Sequence, residues 1–195
     1  MEFHENKLYH IYNRGNNSQQ IFFRPDNYLF FLKKVRNYIR QWCDIFAYSL
    51  MPNHFHFLIS ADFRTIQTKT KGNQERNVLS EGFRNLLSSY SQAVNKQNKT
   101  TGSLFQQNTK AKCLNDGGIN YAPIAFHYIH QNAFKARLVT RIEDWEYSSF
   151  RDYARLRNGT LCNKELAFQL LDLNDQTFYK DSYAVINNEL ISKIL

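Results

Sequence analysis

The chain has 195 residues, of which 43% are hydrophobic and 15% aromatic, so it is long and apolar enough for one folded domain and is not an intrinsically disordered chain. The formal net charge of +8 favours a polyanionic partner, and abundant aromatic side chains favour nucleic acid because rings stack on bases. Three widely spaced cysteines exclude a disulfide framework, and no apolar run approaches the roughly 20 residues that span a bilayer. We therefore expect a soluble cytoplasmic protein without a membrane partner.

The first half of the chain alternates strand and helix patterns. Residues 8–15 form an aromatic and β-branched run that ends in glycine, as strands do. Helical spacing predicts an amphipathic helix over residues 27–42 with Asp26 as its N-cap. Residues 45–51 and 54–61 predict two strands that a turn at Pro52-Asn53 joins into a hairpin. The polar residues 62–76 predict an exposed loop.

The second half repeats the helix and strand patterns. A helix is predicted from Asn77 until residues 96–102 break it, followed by a strand over 104–114 and a glycine turn. Another helix is predicted over 119–136, with Pro123 in its first turn. The order predicts an α+β protein with a ferredoxin-like, RRM-like β-α-β-β-α-β antiparallel sheet, helices on one face and an added helix. We expect residues 1–153 to form the main domain and 154–195 a helical extension packed on it, with short helices at 166–173 and 183–195.

Two histidines lie two residues apart in the third predicted strand. Because strand side chains alternate, His54 and His56 share one face while Phe55 and Phe57 share the other. Two neutral imidazoles on a rigid strand form half of a divalent-metal site.

The predicted helix 119–136 carries a tyrosine and an amide one turn apart. Tyr128 and Asn132 lie together at the edge of its apolar stripe. If this helix packs on the face with the histidines, two imidazoles and one amide oxygen give three ligands for a divalent cation. Tyr90 is the rival nucleophile, but it falls within the apolar stripe of its own helix, which favours core packing.

Five segments, in order, resemble the single-tyrosine HUH transposases of simple insertion sequences and their REP-associated relatives. Residues 47–56 resemble the His-hydrophobe-His hairpin, residues 9–15 the opening strand, and residues 102–106 the strand before the tyrosine helix. Tyr128-Ile129-His130-Gln131-Asn132 is similar to the catalytic helix, which in that family typically reads Tyr-Ile-His-Leu-Asn-Pro. Residues 145–153 resemble the downstream segment of the REP-associated branch, so the resemblance extends over roughly residues 8–153.

This resemblance implies an enzyme that cleaves and rejoins single-stranded DNA through a 5′-phosphotyrosine intermediate. It implies that Tyr128 is the nucleophile and that His54 and His56 bind Mg²⁺ or Mn²⁺. The third ligand stays open between Asn132 and Gln131, because Gln131 stands where the family commonly has an apolar residue. Ala133 replaces the family's usual proline, a change at the helix end.

Four further residues are candidate DNA contacts, and their partner is expected to be single-stranded or hairpin DNA. They are Arg14, Lys110, Lys112 and His127. Insertion-sequence members are dimers that share active sites, whereas REP-associated relatives can act as monomers, and we expect a homodimer. Two alternatives stay open: a replication initiator or relaxase nickase of the same chemistry, and a non-catalytic nucleic-acid-binding module on an RRM-like sheet.

Overall fold

A computed structural model describes residues 1–72 and 74–195. These residues form six strands: β1 (Leu8–Arg14), β2 (Asp44–Met51), β3 (His54–Ser60), β4 (Thr68–Lys71), β5 (Gln74–Asn77) and β6 (Lys110–Cys113). Four of the strands make an antiparallel sheet of order β2-β3-β1-β6, and β4 pairs with β5 separately. This is the ferredoxin-like strand order, so the predicted α+β fold is confirmed.

The described residues also form seven α-helices, which pack around the sheet. They are α1 (Pro25–Tyr38), α2 (Val78–Asn98), α3 (Ala122–Lys135), α4 (Phe150–Tyr153), α5 (Lys164–Leu170), α6 (Phe178–Ser182) and α7 (Asn188–Ile194). None of these helices is long and apolar enough to cross a membrane.

The helices form two layers, one on each face of the sheet. On one face, Phe31 of α1 packs on Phe55 with ring centroids 5.4 Å apart, and Phe83 of α2 packs on Phe57 at 6.3 Å. On the other face α3 covers the histidines, with the ring of Tyr128 5.8 Å from that of His56. Helix α3, which follows the ferredoxin-like unit, therefore lies on the face of the sheet opposite α1 and α2.

The first helix differs from the prediction at both ends. It begins at Pro25, and Arg24 rather than Asp26 is the N-cap residue. Proline favours the first helical position because its fixed φ suits the helix and its missing N–H has no intrahelical partner there. The side chain of Asn27 accepts hydrogen bonds from the backbone N–H of Phe23 and of Arg24. The helix ends at Tyr38, four residues earlier than predicted.

The segment predicted as an exposed loop, residues 62–76, contains the β4–β5 hairpin. Gly72 supplies a left-handed φ of 62° at its turn, which glycine adopts without steric cost. Asn73, also within the predicted loop, lies outside the described residues.

The fourth strand of the sheet is shorter than the predicted 104–114. Only Lys110–Cys113 pairs continuously with β1, while Phe105 forms an isolated bridge with Gly15. The residues between them are held instead by the side chain of Asn13, which donates to Gln106 O and Thr109 Oγ1. The turn after β6 continues to residue 121, so α3 begins three residues later than predicted, with Pro123 in its first turn.

The C-terminal residues pack onto α3. The two short helices predicted at 166–173 and 183–195 correspond to α5 and α7. Helix α6 was not predicted. Phe178 of α6 lies 6.1 Å from Phe126 of α3, and Ile194 of α7 is fully buried. These residues join the same hydrophobic core as the sheet.

Candidate functional site

The register of β1 against β3 builds the floor of the site. Arg14 lies opposite His54 and Tyr12 lies opposite His56, and facing residues of an antiparallel pair project to the same side. On the other edge of β1, Lys110 lies opposite Tyr12. Histidines, an aromatic ring and two cations are thus gathered on one face of the sheet.

Helix α3 supplies the wall of the site. Its buried positions include Ala122, Ala125 and Ala133, and these small side chains allow the helix to lie close to the sheet. Tyr128 is half-buried and places its ring 5.8 Å from His56. The sequence-predicted tyrosine and histidine pair are therefore brought together.

Asn132 interacts with both His54 and Tyr128. Hydrogen bonding from its side chain raises the pKa of His54 and lowers the pKa of Tyr128, opposing burial in both cases. An acceptor stabilises a charged imidazole and a donor stabilises a phenolate. Asn132 Nδ2 also donates to the main-chain oxygen of Tyr128 at 3.4 Å, so the amide lies close to both the tyrosine and His54.

Each histidine of the pair uses Nδ1 for a contact within the protein. His54 Nδ1 lies 2.6 Å from Asn53 Oδ1, and His56 Nδ1 lies 2.8 Å from His10 Nε2. In both rings Nε2 remains for a cation, and metal-binding histidines usually have a hydrogen-bond partner at the second nitrogen. Within residues 1–72 and 74–195 no three His, Cys, Asp or Glu side chains cluster as metal ligands.

Burial determines the protonation states in the site. It lowers the pKa of His54 and holds the pKa of His56 well below the ordinary 6.5, so both imidazoles are neutral at neutral pH and can bind a metal. Burial also raises the pKa of Tyr128 above 10, so the phenol keeps its proton there. A tyrosine in this state needs added positive charge nearby to react as a nucleophile.

A cleft of about 330 Å³ opens over these side chains. Tyr12, Arg14, His54, His56, Lys110 and Tyr128 line it. Of the predicted DNA contacts, Arg14 and Lys110 are exposed at this cleft. The cleft thus combines two cations, two tyrosines and the histidine pair, a set that suits a single DNA strand.

Three other predicted site residues lie elsewhere. Gln131 is buried, and its Nε2 donates to the carbonyls of Ser182 and Ala184 at 2.9 and 2.8 Å. His127 Nδ1 lies 3.2 Å from Ser182 Oγ, so this ring also faces α6. Lys112 lies opposite His10 on the face of the histidines but does not line the cleft.

Sequence reasoning missed His10, Tyr12 and the C-terminal residues at the site. His10 and Tyr12 alternate on β1 as the histidines do on β3, and this pattern was the available signal. Tyr12 donates to the main-chain oxygen of Leu195 at 2.9 Å, and Leu195 lines the cleft. No pattern in the sequence indicates that Leu195 lies at the cleft.

Comparisons with known proteins bear on the fold. No family model matches the sequence, and no curated protein matches it. Among solved structures the chain is similar to a REP-associated tyrosine transposase bound to a REP hairpin, with a TM-score of 0.57 and 17% identity over 80% of this chain and 84% of that one. The two chains share a fold. This likeness in fold supports the resemblance seen in the sequence.

Proposed function

We propose that this protein is an HUH-type transposase that cleaves and rejoins single-stranded DNA through Tyr128. The observation that carries the proposal is the meeting of Tyr128 and Asn132 on α3 with His54 and His56 on β3. Two patterns about seventy residues apart in the sequence resemble one family, and the fold brings them to one cleft.

We further propose that His54, His56 and Asn132 hold Mg²⁺ or Mn²⁺. The Nδ1 atoms of both histidines have partners within the protein, so their Nε2 atoms and the neighbouring amide of Asn132 suit such a cation, whereas Gln131 is engaged with the carbonyls of Ser182 and Ala184. When bound, the ion supplies positive charge that polarises the scissile phosphate and offsets the charge of the transition state.

The chain's own residues account for the remaining chemistry. The Tyr128 oxygen attacks phosphorus, the bond from phosphorus to the 3′ oxygen breaks, and a 5′-phosphotyrosine and a 3′-hydroxyl result. The proton that the phenol loses is balanced by the one that the 3′ oxygen gains, and the reverse reaction rejoins the strand. Arg14 and Lys110 attract the phosphates, and the ring of Tyr12 offers a stacking surface for an unpaired base.

The partner in this proposal is single-stranded or hairpin DNA, in the cytoplasm. We expect a homodimer from the family resemblance, and sedimentation at several protein concentrations tests this. A monomer at all concentrations would contradict the dimer without affecting the cleavage proposal.

A covalent-adduct assay tests the function. Labelled hairpin-containing single-stranded DNA is incubated with the protein and Mn²⁺, and an SDS-resistant protein–DNA adduct is expected. Tyr128→Phe should form none, because it lacks the attacking oxygen. The matched control is Tyr90→Phe, which removes a buried hydroxyl remote from the cleft and should still form adduct. An adduct in Tyr128→Phe, or none with the wild type on any hairpin, would overturn the proposal.

A further inference from the structure

His10 is a buried side chain for which the proposed cleavage reaction has no role. It is fully buried, and both of its ring nitrogens have partners. Its Nδ1 lies 2.7 Å from the main-chain oxygen of Ile194, and its Nε2 lies 2.8 Å from Nδ1 of His56. The ring therefore connects the last turn of α7 to one of the two proposed metal ligands.

The positions of the protons follow from the chemistry of these contacts. A carbonyl oxygen can only accept, so His10 Nδ1 donates to Ile194. The ring is fully buried and its two partners are a carbonyl and another imidazole, neither of them an anion, so it stays neutral and its Nε2 has a lone pair. The proton in the second contact then comes from His56 Nδ1, and His56 Nε2 is left with its lone pair.

The position of the proton on His56 matters because a neutral imidazole binds a cation only through the nitrogen without the proton. Without an acceptor at Nδ1, His56 could carry its proton on Nε2 instead. In the other tautomer, with the proton on Nδ1, a buried Nδ1–H without an acceptor would be an unsatisfied donor, which is unfavourable. An acceptor at Nδ1 therefore selects the tautomer that can bind metal.

The two proposed ligands obtain this acceptor in different ways. His54 has the side chain of the adjacent residue, Asn53, as its partner. His56 depends on His10, 46 residues away, and through it on a carbonyl that is 184 residues from His10 in the chain. Tyr12 on β1 also holds this end of the chain, through its bond to Leu195.

We propose that His10 is a positioning residue that, together with the Ile194 carbonyl, holds His56 in the Nδ1–H tautomer and keeps its Nε2 available to a divalent cation. The proposal rests on the metal site of the proposed function. It also gives α7 a role, because the end of this helix braces one ligand of the site from behind.

The first test needs neither a variant nor a metal. Long-range ¹H–¹⁵N correlation spectra of the full-length, metal-free protein report which nitrogen of each histidine carries the proton. We expect Nδ1–H and a bare Nε2 for both His10 and His56. A His56 ring protonated at Nε2 would overturn the proposal.

The second test measures Mn²⁺ affinity from the electron paramagnetic resonance signal of the free ion. His10→Phe removes donor and acceptor together, and we expect Mn²⁺ binding to weaken about 10–100-fold, as is usual when the hydrogen-bond partner of a metal-binding histidine is lost. His10→Gln keeps one donor and one acceptor and should retain most of the affinity. The matched control is His130→Phe, which removes another fully buried histidine, hydrogen-bonded to Ser149 and not to a proposed ligand.

The outcomes distinguish an error in the proposed metal site from an error in the proposed role of His10. If the wild type binds no Mn²⁺, the proposed metal site is wrong and the role of His10 falls with it. If the wild type binds Mn²⁺ and His10→Phe binds it equally well, only the role of His10 is overturned. Equal losses in the Phe and Gln variants would indicate a packing effect and would also overturn it.

A third pair of variants addresses α7. Ile194→Asp places a carboxylate at a fully buried position and should displace the helix end, weakening Mn²⁺ binding in the same direction as His10→Phe. Ser192→Asp makes the same charge change at an exposed position of α7 and should leave the affinity unchanged. Wild-type affinity in Ile194→Asp, with Tyr12 and His10 contacts shown by NMR to be lost, would contradict the bracing role.

Discussion

The two faces of β3 carry opposite chemistry from the same seven residues. Phe55 and Phe57 are fully buried among aromatic rings of α1 and α2. His54 and His56 face α3 and a cleft of about 330 Å³. One face is thus a closed apolar core, whereas the other is a polar surface that is partly open.

The difference lies in what covers each face. Two helices of 14 and 21 residues cover the phenylalanine face, and their side chains exclude water from it. One helix of 14 residues, α3, covers the histidine face together with short C-terminal helices. Buried polar groups there are tolerated because they are hydrogen-bonded, as His10 and His56 are. We therefore expect the closed apolar face to provide most of the stability and the polar face to perform the proposed function, and substitutions on either face test this.

The largest loss of stability is expected from Phe55→Ala. Removing a fully buried phenyl ring costs about 3–5 kcal/mol of unfolding free energy, through lost apolar burial and the cavity that remains. Urea denaturation measures the change. Phe63→Ala is the matched control, because Phe63 is 63% exposed and its loss should change stability by less than about 0.5 kcal/mol. Equal effects of the two substitutions would contradict the description of this face as a closed core.

The histidine face should instead make stability depend on pH. Burial lowers the pKa of His10 to about 4 and holds those of His56 and His130 well below 6.5. Between the pKa of each histidine in the folded protein and 6.5 in the unfolded chain, the unfolded chain binds protons that the folded protein does not. The free energy of unfolding is therefore highest above pH 6.5 and falls as the pH decreases. The lowering of the pKa of His10 from 6.5 to about 4 contributes about 3 kcal/mol to this loss once the pH is below both values.

Urea denaturation of the metal-free protein at pH 7.5, 6.5 and 5.5 measures this dependence. Carboxylates titrate mainly below this range, so the histidines dominate it. His130→Gln removes one titrating group and should reduce the slope by up to about 1.4 kcal/mol per pH unit. Stability that is constant from pH 7.5 to 5.5 would show that the histidines are not buried in the neutral form.

Local patterns in the sequence were sufficient for much of this arrangement. Alternation along β3 predicted which residues share a face, and helical spacing predicted that Tyr128 and Asn132 lie together. Both are properties of a few consecutive residues. The strand and helix order then predicted the ferredoxin-like sheet, which the structure confirms.

The missing parts depend on contacts between distant segments. His10 became part of the site through the register of β1 against β3, and Leu195 through the packing of α7. Alternation shows that His10 and Tyr12 share a face of β1, but it does not show that β1 lies beside β3 or that α7 docks there, because register and docking are determined by the whole fold. Gln131 illustrates the converse: it lies next to Asn132 in sequence, but one residue along a helix turns a side chain by 100°, toward α6.

A moderate effect is expected from Tyr90→Phe on the phenylalanine side. The Tyr90 hydroxyl is buried and donates to the carbonyl of Ile21 at 2.7 Å. Its removal leaves that carbonyl without this partner and should cost about 1–3 kcal/mol in urea denaturation. DNA adduct formation should persist at temperatures where the variant is folded. If the variant lost adduct formation without losing stability, Tyr90 on the phenylalanine side would take part in cleavage. That result would contradict the assignment of the reaction to the histidine face.

The smallest change in stability is expected from His54→Ala. This ring is half-buried, and its polar partners are the side chains of Asn53 and Asn132, neither of them a charged group, so its loss should cost less than about 1 kcal/mol in metal-free buffer. The response to metal should change much more. A ligand that binds only the folded state at 100 times its Kd stabilises it by about 2.7 kcal/mol, and His54→Ala should lose most of this gain from Mn²⁺. His127→Ala is the matched control, a half-buried histidine of α3 that faces Ser182, and it should keep the gain. If His54→Ala were stabilised by Mn²⁺ as strongly as the wild type, the histidine face would not be a metal-binding surface, and its polar character would be a matter of packing alone.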